Sequence, residues 1–166
     1  MQIITHGGSI RRKELAKNLI YFLNSFNKQY DNNIKISIRF RPDKECDGSC
    51  QQAGNNRFLL VINPNLPVSR FIQVVIHEYT HIRQTYSDKC ITDCSGKTVW
   101  RGKVYSKHYI DPDRKEYWLA PWEVEAVGMQ TIMCDYLENR LSINLNDLTW
   151  VNCGSLITSL KDQELR

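Results

Sequence analysis

Residues 74–82 read Val74-Val75-Ile76-His77-Glu78-Tyr79-Thr80-His81-Ile82, and the rest of the chain is best read outward from them. The five central residues match the H-E-x-x-H pattern of helical zinc sites. On a helix, side chains four apart lie on one face one turn from each other, so His77 and His81 can reach a single ion. Glu78 is rotated by about 100° from His77. It can stand beside the ion and take a proton from a bound water whose pKa zinc lowers towards about 7. The flanking Val74, Val75, Ile76 and Ile82 predict a largely buried helix, where polar side chains need partners and a metal would supply one.

The helix carrying this motif is expected to begin near Pro67 or Ser69 and to reach about Tyr86. Before it, residues 9–29 predict an amphipathic helix capped by Ser9, with Ile10, Leu15, Leu19, Ile20, Phe22, Leu23 and Phe26 as its apolar stripe. Ile34, Ile36, Ile38 and Phe40 alternate with Lys35, Ser37, Arg39 and Arg41, which predicts a half-buried strand. A loop carrying Cys46 and Cys50 follows. Residues 57–62 form an apolar run expected to be a strand covered on both faces, stopped at Asn63, Pro64 and Asn65.

After the motif, a polar segment holds Cys90 and Cys94, and residues 98–109 contain strand-forming residues around Gly102. Asp111, Pro112 and Asp113 predict a turn. Pro121 suits the first turn of a helix reaching about Asn139, with Glu123 near its positive end. A last helix is expected near Asp147 to Leu160. No internal repeat or long linker interrupts the chain, so residues 1–166 are expected to form a single domain.

Composition agrees with a folded globular protein, with 42% hydrophobic and 24% charged residues. The net charge of +4 comes from 22 basic and 18 acidic residues scattered along the chain, a weak basis for binding nucleic acid. Neither a secretory signal at the N-terminus nor an uninterrupted apolar span of membrane length is evident, so a cytoplasmic protein without a membrane partner is expected.

A catalytic zinc usually takes three protein ligands and leaves one position open. A histidine six residues past the second ligand would mark one large subclass, the metzincins, but that position is Ser87. The remaining downstream candidates are Glu123, Glu125 and His108. Glu125 shares a stripe with Gly128, Met129, Ile132, Met133 and Tyr136, which points it inward, and Gly128 would allow a close helix approach. Glu123 lies about 200° away around the same helix and has a simpler role at the helix dipole. Glu125 is therefore preferred as third ligand, with Glu123 the alternative.

The sequence resembles the gluzincin group of zinc metallopeptidases, in which H-E-x-x-H is followed on a later helix by a glutamate ligand often directly before alanine, here Glu125-Ala126. Trp100-Arg101-Gly102-Lys103-Val104-Tyr105, followed by Pro121-Trp122-Glu123-Val124-Glu125-Ala126, also resembles small metallopeptidases encoded by phages and prophages, over roughly residues 70 to 137. Larger gluzincins carry an acidic residue four positions after the ligand, where this chain has Met129. The resemblance implies an α+β, minimal zincin-like domain with a small twisted, mostly antiparallel sheet packed on the motif-bearing helix. It also implies a peptide or protein substrate lying along a sheet edge, and that edge is expected at residues 98–105. A Tyr or His would polarise the scissile carbonyl, with His108 nominated first and then Tyr105 or Tyr109.

Cys46 and Cys50 share a C-x-x-x-C spacing with Cys90 and Cys94. Four such thiolates could hold a second, structural Zn2+, or form disulfides. Cys134 and Cys153 are expected in the core. The expected function is a zinc-dependent peptidase with Glu78 as general base. Two alternatives are a catalytically silent zinc-binding regulatory or interaction module, and a zinc-ribbon nucleic-acid-binding protein.

Overall fold

A computed structural model describes residues 1–26, 33–43, 45–92 and 97–164. It is an α+β arrangement built on a small mixed sheet. Strand β1 (Gln2–His6) leads into helix α1 (Ile10–Phe26), and β2 (Lys35–Phe40) returns beside β1 in parallel. Strand β4 (Arg57–Ile62) adds parallel to β2, and β3 (Gly48–Gln52) pairs antiparallel on its far side, giving the order β1-β2-β4-β3. The expected mostly antiparallel sheet is therefore corrected to a mixed one in which two of the three pairings are parallel. The cause is the helix between β1 and β2, because a crossover long enough to carry a helix returns the chain in its original direction.

Two of these strands were not visible in the sequence. Gln2–His6 is too short to show a pattern, and Gly48–Gln52 consists of weak strand formers held in place by pairing with β4. The alternation in β2 holds, since Ile34, Ile36, Ile38 and Phe40 are all buried. Strand β4 is covered on one face only: Phe58, Leu60 and Ile62 are buried while Leu59 and Val61 are half-buried.

Helix α2 (Val68–Tyr86) carries the motif and buries Phe71, Ile72, Val75, Ile76 and Ile82 in the core that it shares with the sheet and α1. In α1, Leu15, Leu19, Ile20, Phe22 and Leu23 are buried as expected, whereas Ile10 and Phe26 are exposed. The observed α1 ends at Phe26, and the rest of its expected span lies outside the described residues. Tyr79 donates a hydrogen bond across to Asn24 at 3.0 Å, and both residues are buried, so α1 and α2 are pinned by a satisfied polar pair. Gly48 lets β3 lie against α2, because a Cβ there would meet Val74 Cγ1 at 2.4 Å and Glu78 Cγ at 3.3 Å.

The chain then builds a separate three-stranded antiparallel sheet from β5 (Cys90–Thr92), β6 (Thr98–Trp100) and β7 (Lys103–Tyr105). A 3-10 turn at Lys107–Ile110 and the short helix α3 (Lys115–Trp118) follow. The long helix α4 (Pro121–Leu141) starts at Pro121 as expected and packs along α2. Residues 145–147 form a 3-10 turn, and the final helix α5 (Gly154–Glu164) begins later than expected and packs on α1. Among the described residues no helix is long and apolar enough to cross a membrane.

Candidate metal centre

The motif lies on the face of α2 that α4 covers. His77 Nε2 and His81 Nε2 stand 3.1 Å apart. The carboxylate of Glu123 closes the triangle, with Oε2 at 3.3 Å from His77 Nε2 and Oε1 at 3.5 Å from His81 Nε2. A tetrahedral ion with arms of about 2.1 Å separates its ligand atoms by about 3.4 Å. The three observed separations bracket that value. Glu123 is 3% exposed, with Oε2 facing His77 and Oε1 facing His81, so a buried carboxylate is aimed at two imidazole nitrogens. The donor set and its spacing fit a divalent cation. Among the described residues, these three form the one group of His, Cys, Asp or Glu side chains close enough to share an ion.

The preferred third ligand was Glu125, and the structure corrects this to the alternative. Glu125 accepts a hydrogen bond from Gln84 Nε2 at 2.9 Å and pairs with Lys89 and Arg101, each at 3.4 Å, on the far side of the helix from Glu123. The stripe that favoured it belongs to the later turns, and even there Ile132 is 62% exposed. In the first turns the inward face is set by Trp122, Glu123 and Ala126, because Trp122 inserts into a small cluster with Trp100 and Ala120. Gly128 permits no close approach, as a Cβ there would meet nothing within 4 Å.

Gln84, which is not among the candidates the sequence offers, organises the centre. It is 2% exposed, and its Nε2 donates to Trp122 O and to Glu125 Oε2, both at 2.9 Å. Its Oε1 is therefore the acceptor for His81 Nδ1 at 2.8 Å, which fixes the tautomer that leaves His81 Nε2 with a lone pair. Glu125 thus acts behind the site through Gln84. The signal was present in the sequence, since Gln84 lies one turn beyond His81, but an amide at that spacing has many uses.

Glu78 is 9% exposed and borders two cavities, of about 280 and about 690 Å³, that meet at the centre. Burial raises its carboxyl above the usual range, although the His81 and His77 imidazoles pull the other way. Burial also pushes against ionisation of Glu123, but hydrogen bonding to His77 and His81 and the charge of His81 hold its carboxyl down to about 2. For His81, burial would lower the imidazole, and the hydrogen bond and charge of Glu123 outweigh it and raise the group. The two carboxylates are therefore pushed in opposite directions, Glu123 toward its anion and Glu78 toward its protonated form.

None of the three nominated carbonyl polarisers borders either cavity. His108 is exposed on its 3-10 turn, while Tyr105 and Tyr109 pack edge-on against each other and Tyr105 also against Trp122. Tyr117 on α3 borders both cavities, and its hydroxyl hydrogen-bonds to Glu123. Burial and then the charge of Glu123 push its phenol well above the usual value, so it stays protonated and able to donate. Residues 98–105 form β6 and β7 of the second sheet, of which Thr98 lines the smaller cavity with Cys90 and Thr92 of the outer strand β5, while β3 of the first sheet lines it too.

The cysteine expectation changes too. Cys46, Cys50 and Cys90 are all unbridged and do not gather into an ion-sized cluster among the described residues, and Cys94 lies outside them. Strand β3 starts at Gly48, so extended backbone carries Cys50 away from Cys46 instead of curling the pair around one ion. Cys50 instead faces Glu78, where burial and then the Glu78 charge raise its thiol well above the usual value. Cys153 is fully buried in the core, as expected, and Cys134 packs partly buried against it. No protein-family model, curated protein or solved structure matches the chain.

Proposed function

We propose that the protein is a zinc-dependent peptidase of zincin-like architecture. The observation that carries this reading is the convergence of His77, His81 and Glu123 at ligand spacing, with Glu78 beside them in an open cleft. Bound there by those three residues, zinc would supply Lewis acidity and a water acidified towards about pH 7. Glu78, with its raised carboxyl, accepts the proton of the attacking water and returns it to the leaving amine. Tyr117 donates its hydroxyl proton as a hydrogen bond to the scissile carbonyl oxygen. Gln84 keeps His81 oriented throughout.

Two features support a peptide as substrate. The cleft continues to both sides of Glu78, so an extended chain can pass through it. Strand β3 is an outer strand of the sheet and borders that cleft, so its free backbone groups can pair with a substrate strand. The decisive comparison is wild type against Glu78→Gln, with zinc content and cleavage of an unbiased peptide library both measured. The variant is expected to keep stoichiometric zinc and to lose turnover by several orders of magnitude. Turnover at the wild-type rate would remove the mechanism. Wild-type protein that binds zinc and cleaves no peptide would instead assign the site to a silent binding module.

A further inference from the structure

The helices α1 and α2 cover one face of the four-stranded sheet, and the opposite face has no cover among the described residues. Parallel strands are ordinarily buried on both sides, so an open face on β1, β2 and β4 is unusual. The strand register arranges that face in rows. The first row holds Gln2, Lys35 and Arg57, and the third holds His6, Arg39 and Val61. Between them lies Ile4, Ser37 and Leu59, with Gln51 of β3 completing the row. Ile4 is 50% exposed, and Leu59 and Val61 are only half-buried.

The charge pattern is one-sided. Lys35, Arg39 and Arg57 are exposed and form no ion pair among the described residues, and the strand positions pointing to this side include no Asp or Glu. Rows of a strand lie about 6.6 Å apart, so cations flank the aliphatic middle row on both sides at a separation of about 13 Å. A groove of about 490 Å³ runs over this middle, lined by Ile4, Ser37 and Leu59 with the cations at its rim. We infer that this sheet face docks a partner protein through an amphipathic segment whose apolar stripe is flanked by Asp or Glu. An apolar centre with a charged rim is the anatomy of a protein interface. Among the described residues the face presents no Phe, Tyr or Trp ring, the platforms on which single-stranded bases chiefly stack, and His6 is its one imidazole, at the rim. The site is independent of the metal centre, so it stands or falls separately from the peptidase reading.

The test is an NMR titration of the 15N-labelled full chain with a soluble helix-forming peptide bearing a Leu stripe flanked by Glu. A Leu/Lys counterpart and a single-stranded oligonucleotide serve as the other arms. Saturable shifts confined to β1, β2 and β4 are expected with the Glu peptide alone. Lys35→Glu combined with Arg57→Glu should weaken binding at least tenfold while circular dichroism and zinc content stay unchanged. Ile4→Ser provides a milder second variant with the same expected direction. Four results would each overturn the inference: no saturable shift with the Glu peptide, shifts centred elsewhere, tighter binding of the oligonucleotide, or concentration-dependent self-association that these substitutions abolish.

Discussion

Two differently built regions meet at Glu78. On one side, α2 is anchored to the sheet by Phe71, Ile72, Ile76 and Ile82, all at most 1% exposed, within a core that also takes in α1 and α5. On the other, β5 to β7, α3 and the first turn of α4 rest on a hydrophobic cluster with three buried members among the described residues, Trp100, Ala120 and Trp122. His77, His81 and Glu78 belong to the first region, whereas Glu123 and Tyr117 belong to the second. Two of the candidate ligands therefore sit on a helix held by the main core, while the third sits on the first turn of α4, which rests on the smaller cluster even though Met133 and Leu137 further along α4 join the main core. Local opening free energy follows local burial, so the centre can lose its third ligand without global unfolding.

The largest effect expected is on the heavily packed side. Phe71 is fully buried against Phe40 and Trp150, and Phe71→Ala should cost about 3–5 kcal/mol of global stability in urea denaturation. A loss near zero would erase the contrast between the regions. Next comes Glu123→Ala, expected to lower zinc affinity by a hundredfold or more, about 2.7 kcal/mol, with little change in the urea midpoint of the zinc-free protein. If Glu125→Ala produced that loss instead, the ligand assignment would be reversed.

Trp122→Ala sharpens the comparison, because it touches no ion yet holds the first turn of α4. Zinc affinity should fall about 10–100-fold, alongside faster amide exchange in β5 to β7 and none in β1 to β4. Gln84→Leu should lower zinc affinity within the same range by freeing His81 Nδ1, and Gln84→Glu should restore part of it by keeping the acceptor. The smallest effect belongs to Glu125→Gln, less than tenfold, since it acts on His81 only through Gln84. Calorimetric zinc titration ranks all four variants on one scale.

The sequence read alone determined the two histidines and the glutamate of the motif, the strand at 34–40, the helix beginning at Pro121 and most of the buried stripe of α1. These depend on spacing within one element, where backbone geometry fixes which side chains share a face. It did not determine which glutamate of α4 turns inward, that Tyr117 rather than His108 borders the cleft, or which way the sheet runs. Glu123 and Glu125 differ by two positions on one helix, and each is a reasonable inward residue until Trp122 docks against Trp100 and rotates the first turn. Tertiary packing made that choice because burial is set by neighbours distant in the chain, and no local pattern encodes where they will lie.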